Sequence, residues 1–403
     1  MTQLRIAIVG VGAYQSSRAR GYLATIQKLN HLYSICAICD SSSQSLNEAG
    51  TQFQIPDRYR DVEKMLTTEN PDVVFVLVPT DGQTVVALTA ARQKCHLITE
   101  IPYALTLNYG DATAETCQQN RVKWEIAENV WLWPNEQLKQ KIVQTGVLGQ
   151  ITHARLWYKS GNYHGFNAIQ MILNSNPKQV LGFAKELDIR PYDSYGGQRE
   201  STIWWENGVI EFENGVTCLY ESSSASGRWG NHWEIEGTEG YLSANELVLY
   251  ANQSSYPIEE IYDQVGGERI LVAVAVGLKK SDSNFEPILW ENPFKKYGIS
   301  AADDVAKASI LSSLHRAVTT GADPEYGSAN ARRDMELWFA LRESANLNNI
   351  WVNLPLTETT NLEKRFQSAY MEAYGGDPVK NTAALLQTSF NRLSVMWSVA
   401  GWL

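Results

Sequence analysis

The sequence predicts an α/β chain: a doubly wound parallel sheet, then an α+β domain on a large open mixed sheet. Two observations carry the first part. Short β-branched apolar runs alternate with amphipathic helical stretches over the first 130 residues. Each run stops at a breaker or acid, in turn Gly10, Asp40, Pro79 and Glu100. Such alternation implies right-handed crossovers and an open parallel sheet. A third observation, Asn214-Gly215 between two strand-like runs, marks a hairpin and carries the second part.

The elements follow in order. Arg5–Val9 is a buried strand that closes at Gly10. Ser16 to Leu29 is helical, with Ala19, Tyr22, Leu23 and Ile26 on one face. Tyr33–Cys39 is the second strand, and a polar helical stretch then leads into Asp61–Thr67. Pro71-Asp72 introduces a third strand, Val73–Val78, closed by Pro79-Thr80-Asp81. A helix over Thr84–Gln93 and a short strand, His96–Thr99, complete the repeat. In the second part, Ile151–Tyr158, Val209–Glu213, Thr217–Glu221, Trp233–Glu236, Gly240–Ser243 and Leu247–Tyr250 read as strands. Asn361–Tyr374 is helical, and Val379–Val399 reads as one amphipathic helix. Lys380 and Arg392 are too few cations for a membrane-surface face, so that helix is expected to pack on the body or on a neighbouring subunit.

The 403 residues suit two domains and an appendage, expected at 1–130, 131–355 and 356–403. A net charge of −10 excludes a global basic field for nucleic acid or anionic lipid. No apolar run approaches the roughly 18 residues of a membrane span, and the opening stretch is too short for a signal peptide. A soluble, cytoplasmic protein with a small-molecule partner is expected. Cys36 and Cys39 form C-x-x-C inside an apolar run and read as strand residues, with a redox pair as the alternative. No metal site is expected.

In a doubly wound sheet the ligand crevice lies beyond the carboxyl ends of the strands, where helix N-termini offer free N–H groups. After the first strand stands Gly10-Val11-Gly12-Ala13-Tyr14-Gln15. Gly10 permits the tight turn, and Gly12 allows a pyrophosphate to approach the backbone; Gln15 replaces the third glycine of G-x-G-x-x-G. A G-x-G after a strand is also simply a turn. Asp40 strengthens the dinucleotide reading, since a carboxylate there accepts both ribose hydroxyls and repels a 2′-phosphate. Ser41, Ser42 and Ser43 follow it, with no arginine, so NAD is favoured over NADP. A helix N-cap or turn role is the alternative for Asp40.

Here the residues resemble a known family, the glucose–fructose oxidoreductase, inositol dehydrogenase and MocA-like (Gfo/Idh/MocA) oxidoreductases, over about the first 355 residues. Asn70-Pro71-Asp72-Val73-Val74 with Val78-Pro79-Thr80 resembles the third strand and cofactor loop of its Rossmann domain. Glu100-Ile101-Pro102-Tyr103-Ala104 is similar to Glu-Lys-Pro-x-Ala, and Ala127-Glu128-Asn129 to the strand carrying a cofactor-facing asparagine. Thr145 to Gly149, Phe212 to Val216, Glu236 to Gly240 and Ala331 to Ala345 resemble its second domain. The resemblance implies cofactor contacts at Gly10, Gly12, Ala13, Tyr14, Asp40, Ser41, Pro79, Thr80, Gln83, Glu100, Ile101 and Asn129. It also implies a homo-oligomer through the exposed sheet face, for which Trp204, Trp205, Trp229 and Trp233 are suited. An aromatic-walled pocket is the alternative.

Alcohol oxidation by NAD needs a positioned carbinol, a base and a donor for the developing oxyanion. The family supplies lysine, aspartate and histidine. His164 is read as the matching histidine, ahead of an apolar helix Ala168–Leu173. Ser160 stands at the aspartate position and Ile101 at the lysine position. Losing one oxyanion donor costs about 3–4 kcal/mol. Tyr163, Lys159 and Tyr103 are candidate replacements; a structural role for His164 is the alternative. Three readings follow: an NAD-dependent oxidoreductase of a sugar, cyclitol or polyol, with His164, Tyr163 and Ser160 at the reacting carbon; an NAD-using glycosidase-type enzyme; and a non-catalytic dinucleotide-binding scaffold or sensor.

Overall fold

The computed structural model describes residues 2–12, 17–158, 162–193, 199–222, 232–278 and 285–390, with Val395. The chain divides into two compact units. The first holds the residues up to Glu128, Lys307–Arg332 and the described residues from Asn361 on. The second holds Asn129–Ala306 and Arg333–Thr360.

The first unit begins with β1 (Leu4–Val9), α1 (Arg18–Lys28), β2 (Tyr33–Cys39), α2 (Ser43–Gln52), β3 (Arg58–Tyr59) and α3 (Val62–Glu69). It continues with β4 (Val73–Val76), α4 (Thr80–Arg92), β5 (His96–Thr99), α5 (Leu107–Asn120) and β6 (Trp124–Ile126). The six strands are all parallel, in the order β3-β2-β1-β4-β5-β6. The order reverses between β1 and β4, which is where such sheets bind ligands. Ala19, Tyr22, Leu23 and Ile26 are buried on α1, as their spacing predicts. Cys36 and Cys39 are both free thiols in β2, and burial pushes them up to about 11 and about 12.

Two boundaries that shape the carboxyl edge differ from the sequence reading. β4 stops at Val76 and α4 starts at Thr80, four residues earlier than expected. Pro79 sets the entry, with φ −50° and ψ 150°, and its carbonyl accepts the Gly82 N–H at 2.8 Å, so a turn the periodicity cannot see joins the helix. Every residue from Thr80 to Ala91 is buried, so α4 shows no amphipathic stripe.

The second unit contains α6 (Pro134–Thr145), β7 (Ile151–Tyr158), α7 (Asn162–Leu173), β8 (Pro177–Asp193), β9 (Arg199–Phe212), β10 (Thr217–Ser222) and β11 (His232–Gly237). It continues through β12 (Gly240–Ser243), β13 (Glu246–Leu249), β14 (Ser254–Pro257), β15 (Glu259–Val265), β16 (Glu268–Val276) and β17 (Ile288–Glu291). The main chain then forms α8 (Ala302–Thr320), α9 (Ser328–Asn346) and β18 (Trp351–Asn353). Nine strands form one sheet in the order β14-β13-β12-β11-β7-β10-β9-β8-β18, and β15-β16-β17 form a second. Within the nine-stranded sheet β7 and β10 pair in parallel and the other described pairs are antiparallel. Asn214-Gly215 turns β9 into β10, as read.

One sheet face is covered by the later part of α9. A Cβ on Gly182 of β8 would stand 2.1 Å from the Leu341 carbonyl oxygen, so glycine there lets helix and sheet meet. Under that cover Glu206 pairs with Arg342 at 3.1 Å. Along the opposite face a register row runs Trp351, Leu181, Val209, Leu219, Arg155. Leu219 there is 51% exposed and Trp351 41%.

The tail is no separate domain. α10 (Asn361–Tyr374) forms as expected; of the helix expected over Val379–Val399, α11 (Thr382–Leu385) and a helical Val395 are described, residues 386–390 are turn or irregular, and 391–394 and 396–399 lie outside the described residues. Gly375-Gly376-Asp377-Pro378 fixes a turn, with Asp377 accepting from the Val379 and Lys380 N–H groups, and the apolar residues serve contacts with α4 instead of a stripe. The Lys307–Arg332 segment joins the first unit through local bonds: Tyr33 donates to the Leu311 carbonyl at 2.7 Å, and Ile126 N–H to Tyr326 O at 2.9 Å. Among the described residues no helix is long and apolar enough to cross a membrane.

Candidate active site

The carboxyl edge of the parallel sheet gathers most of the residues named from sequence. Gly10 has φ +91°, and a Cβ there would lie 2.7 Å from Leu77 O. Leu77 cannot retreat freely, since its N–H donates to Val9 O at 2.7 Å. The glycine is therefore required by a close approach of β1 to the chain leaving β4. Gly12 has φ +72°, and its added Cβ would meet Ser17 Oγ, the N-cap of α1, at 2.4 Å. Ala13 and Tyr14 lie outside the described residues.

Asp40 does more than end β2. Its Oδ2 accepts the Val11 N–H at 2.8 Å and its Oδ1 the Ser42 N–H at 2.8 Å. The carboxylate thus ties the glycine-rich turn to the entrance of α2. The N-cap alternative is excluded, because the α2 cap is Ser42, whose Oγ accepts from Ser45 N–H at 3.2 Å. Ser41 is exposed, and its carbonyl accepts from Arg60 Nε at 3.2 Å.

Over β4 and β5, Pro79 and Thr80 open α4. Gln83, buried on the next turn, donates from its amide to Glu100 O at 2.8 Å and Pro102 O at 3.1 Å in the orientation that satisfies its neighbours. Glu100 Oε1 accepts from Arg18 Nε at 2.5 Å, so an ion pair joins the start of α1 to the end of β5. Ile101 is half-buried and precedes Pro102 through a cis peptide. Tyr103 does not serve as a replacement donor beside it. Its ring is taken into the first unit's core, 5.9 Å from Trp124 and against Gly110, because α5 leaves a glycine-sized hollow there. Sequence reasoning missed Arg18 and Arg20. Arg20 is buried and donates to Val11 O at 3.3 Å and Gln52 Oε1 at 2.6 Å, bracing the same turn. An arginine amid the apolar face of α1 was the available signal.

In the second unit Asn129 follows β6 and donates from Nδ2 to Asp303. His164 stands within the first turn of α7, not ahead of a helix starting at Ala168; the helix begins at Asn162. The ring of His164 lies 4.7 Å from that of Tyr163, which is buried. Ser160 and Lys159 lie outside the described residues. One turn along α7, Asn167 is only 1% exposed, and neither amide atom has a partner among the described residues. Leaving a buried polar group unmet costs about 1–3 kcal/mol. The sequence offered no sign of this beyond an asparagine in an apolar helix. Phe166 beside it packs on Tyr220 of β10 at 4.7 Å. Among the described residues no group of three or more His, Cys, Asp or Glu is placed to hold a metal ion.

Comparison with known proteins agrees with this architecture. Residues 4–127 match a family described as "Oxidoreductase family, NAD-binding Rossmann fold". A D-apiose dehydrogenase of Paraburkholderia graminis is 26% identical over 237 residues, 53% of this chain and 63% of that protein. A glycosyl hydrolase family 109 protein of Shewanella pealeana is 25% identical over 168 residues, 39% of this chain and 36% of that protein. The alignments thus span less than two thirds of either relative's length. An oxidoreductase from Agrobacterium radiobacter, crystallised with NAD+, L-tartaric acid and magnesium, shares the fold at TM-score 0.66 and 17% identity, covering 87% of this chain and 98% of that one. Residues 4–127 of the first unit thus match the NAD-binding Rossmann fold of that oxidoreductase family.

Proposed function

We propose that the protein is an NAD-dependent oxidoreductase that moves a hydride between a nicotinamide cofactor and a sugar, cyclitol or related polyol. The observation that carries this reading is the Asp40 carboxylate fastened at 2.8 Å to Val11 of the Gly10–Gly12 turn. A turn open to a diphosphate and an acid suited to ribose hydroxyls are thereby held as one piece, and these residues fit the dinucleotide. Bound there, NAD supplies the hydride acceptor. Gly10, Gly12 and the backbone preceding α1 would hold the diphosphate, and Asp40 with Ser41 the adenosine ribose. Pro79, Thr80, Gln83, Glu100, Ile101 and Asn129 would border the nicotinamide half. Asp40 also disfavours a 2′-phosphate, hence NAD over NADP.

For the substrate, His164 carries the proton of the reacting hydroxyl, an imidazole being suited to exchange near neutrality. Tyr163 and Ser160 are assigned as its polar neighbours, and the unmet amide of Asn167 as a hydrogen-bonding group for a second hydroxyl. The exposed row from Trp351 to Leu219, with Phe183 and Trp205 exposed on the same face, supports a homo-oligomer through the open face of the nine-stranded sheet. The test has two arms. NAD should raise the melting temperature more than NADP, and a polyol panel should yield NADH with the parent but not with His164→Ala, whose NAD affinity is retained. Equal turnover by parent and variant removes His164 from the chemistry.

A second reading rests on Ile101, which puts an apolar side chain where the resembled family has a lysine. It is the non-catalytic scaffold, and NAD binding without turnover across the panel selects it.

A further inference from the structure

The strongest unassigned feature of the first unit is a carboxylate inside a helix. Asp81, in the first turn of α4, is 1% exposed. A buried charge persists only with good partners, and these come from the far end of the chain. Tyr374 donates its hydroxyl to Asp81 Oδ2 at 2.7 Å. The N–H of Val395 lies 3.1 and 3.0 Å from the two carboxylate oxygens. Tyr370 donates to the Asp81 carbonyl at 3.0 Å. The Phe390 ring lies directly on the adjoining backbone: a Cβ added to Gly82 would stand 2.6 Å from its Cδ2. Tilted ring contacts join these groups, Tyr370 to Tyr374 at 4.8 Å and Tyr374 to Phe390 at 5.4 Å.

The same tail also completes the neighbouring helix. Thr106 at the start of α5 makes no capping bond, and Glu363 of α10 accepts the Leu107 N–H at 2.9 Å instead. α4 likewise has no side-chain cap of its own. Two helices that begin beyond the carboxyl ends of β4 and β5 are therefore finished by one distant segment. That edge is where a doubly wound sheet receives its ligand, with one mononucleotide half over each set of strands.

We propose that α10, with Phe390 and Val395 beyond it, forms a strap that fixes the first turn of α4, and that Asp81 is the positioning residue through which it acts on the nicotinamide half of the cofactor site. The inference rests on the NAD reading above. Asp40 and the glycine turn serve the adenosine half and share no hydrogen bond with the strap among the described residues, so the two halves respond differently when the strap is loosened.

The test uses the full chain with Tyr374→Phe and, separately, Phe390→Ala. Calorimetric titration with NAD and with ADP is paired with amide hydrogen exchange at residues 80–84 of the free protein. In both variants NAD affinity should fall at least fivefold, ADP affinity should stay within twofold, and exchange in the first turn of α4 should quicken at least tenfold. Equal weakening of NAD and ADP would mean general loss of structure, and unchanged exchange with unchanged NAD affinity would mean no strap; either overturns the proposal. If the parent binds no NAD while the variants exchange faster, the cofactor reading fails and the strap itself stands. If the parent binds no NAD and exchange is also unchanged, both fall.

Discussion

Replacing Asp40 by asparagine separates the two jobs assigned to its carboxylate. In the parent its two oxygens accept Val11 N–H and Ser42 N–H, each at 2.8 Å. Asparagine keeps one acceptor, so one of these N–H groups faces an amide NH2 and loses its bond. Leaving such a donor unmet costs about 1–3 kcal/mol. At roughly 2–4 °C per kcal/mol for a unit of this size, melting should fall by several degrees. The cofactor effect has the opposite sign for the two dinucleotides. A unit charge pair at 4 Å is worth about 1 kcal/mol in water and about 4 kcal/mol near a protein surface. Asp40 is half-buried, so neutralising it should relieve NADP by an amount between those limits, roughly five- to a thousandfold. NAD should weaken as its ribose contact is lost. Calorimetric titration of both dinucleotides gives the NADP-to-NAD affinity ratio, expected to rise at least fivefold. A ratio unchanged in Asp40→Asn, with NAD still bound, would place the adenosine ribose away from β2 and refute the reasoning.

Gly10→Ala combines a positive φ, about 1–2 kcal/mol, with a backbone clash against Leu77 O. Melting should drop clearly, and a drop under about 2 °C by the scaling above would refute the close approach of β1 to β4. Burial, its largest cause, pushes the Glu125 carboxyl well above the usual carboxylate range, and Glu325 adds to this. The fold therefore keeps a proton that the unfolded chain has shed, and stability contributed below the usual carboxylate pKa is lost as pH rises through the raised value. Glu125→Gln should gain melting temperature over the parent at pH 8 and converge with it near pH 4; a difference independent of pH would show that Glu125 does not titrate abnormally. Leu219→Glu on the open sheet face should convert an oligomer to a lighter species by light scattering, and an unchanged mass would move the interface elsewhere. Asn167→Ala removes two unmet polar atoms, so melting should hold or rise while turnover falls at least tenfold; a large melting loss with normal turnover would make Asn167 structural.

The elements legible in the sequence are those whose cause is local. β2 and β5 have the bounds read from their apolar runs, and the buried face of α1 is the one its spacing gave. Asn214-Gly215 specified its hairpin for the same reason. What escaped depends on partners far along the chain. α4 lacks a helical stripe because α5 and the tail enclose it together with the sheet, and no window of its own sequence records that. The short β3, two residues long, is a strand by virtue of its pairing with β2, and Tyr59 donates to Glu69 of α3 at 2.6 Å. In the candidate site the glycine turn and Asp40 were readable, since both answer to backbone geometry. Arg18 meeting Glu100, or Arg20 meeting Val11, follows from tertiary approach and could not be spaced out in advance.

Several departures from local rules meet at the carboxyl edge of the parallel sheet. Gly10 and Gly12 hold positive φ, Asp81 is a charge buried within a helix, and Arg18 pairs with Glu100, all in the first unit beyond the carboxyl ends of its strands. Arg18 with Glu100 and the buried Asp81 carboxyl are placements that stability alone does not call for. The opposite edge of the same unit has left-handed residues of its own, Gln54, Asn70, Lys94 and Arg121, at the turns leading into β3, β4, β5 and β6. The substitution at Ile101 fits within the carboxyl edge without disturbing it: its neighbours Glu100 and Pro102 are held by Gln83 through their carbonyls, not through any side chain at position 101. The proposed binding scaffold is therefore independent of the side chain at position 101, and on the proposed reading cofactor affinity and turnover should separate.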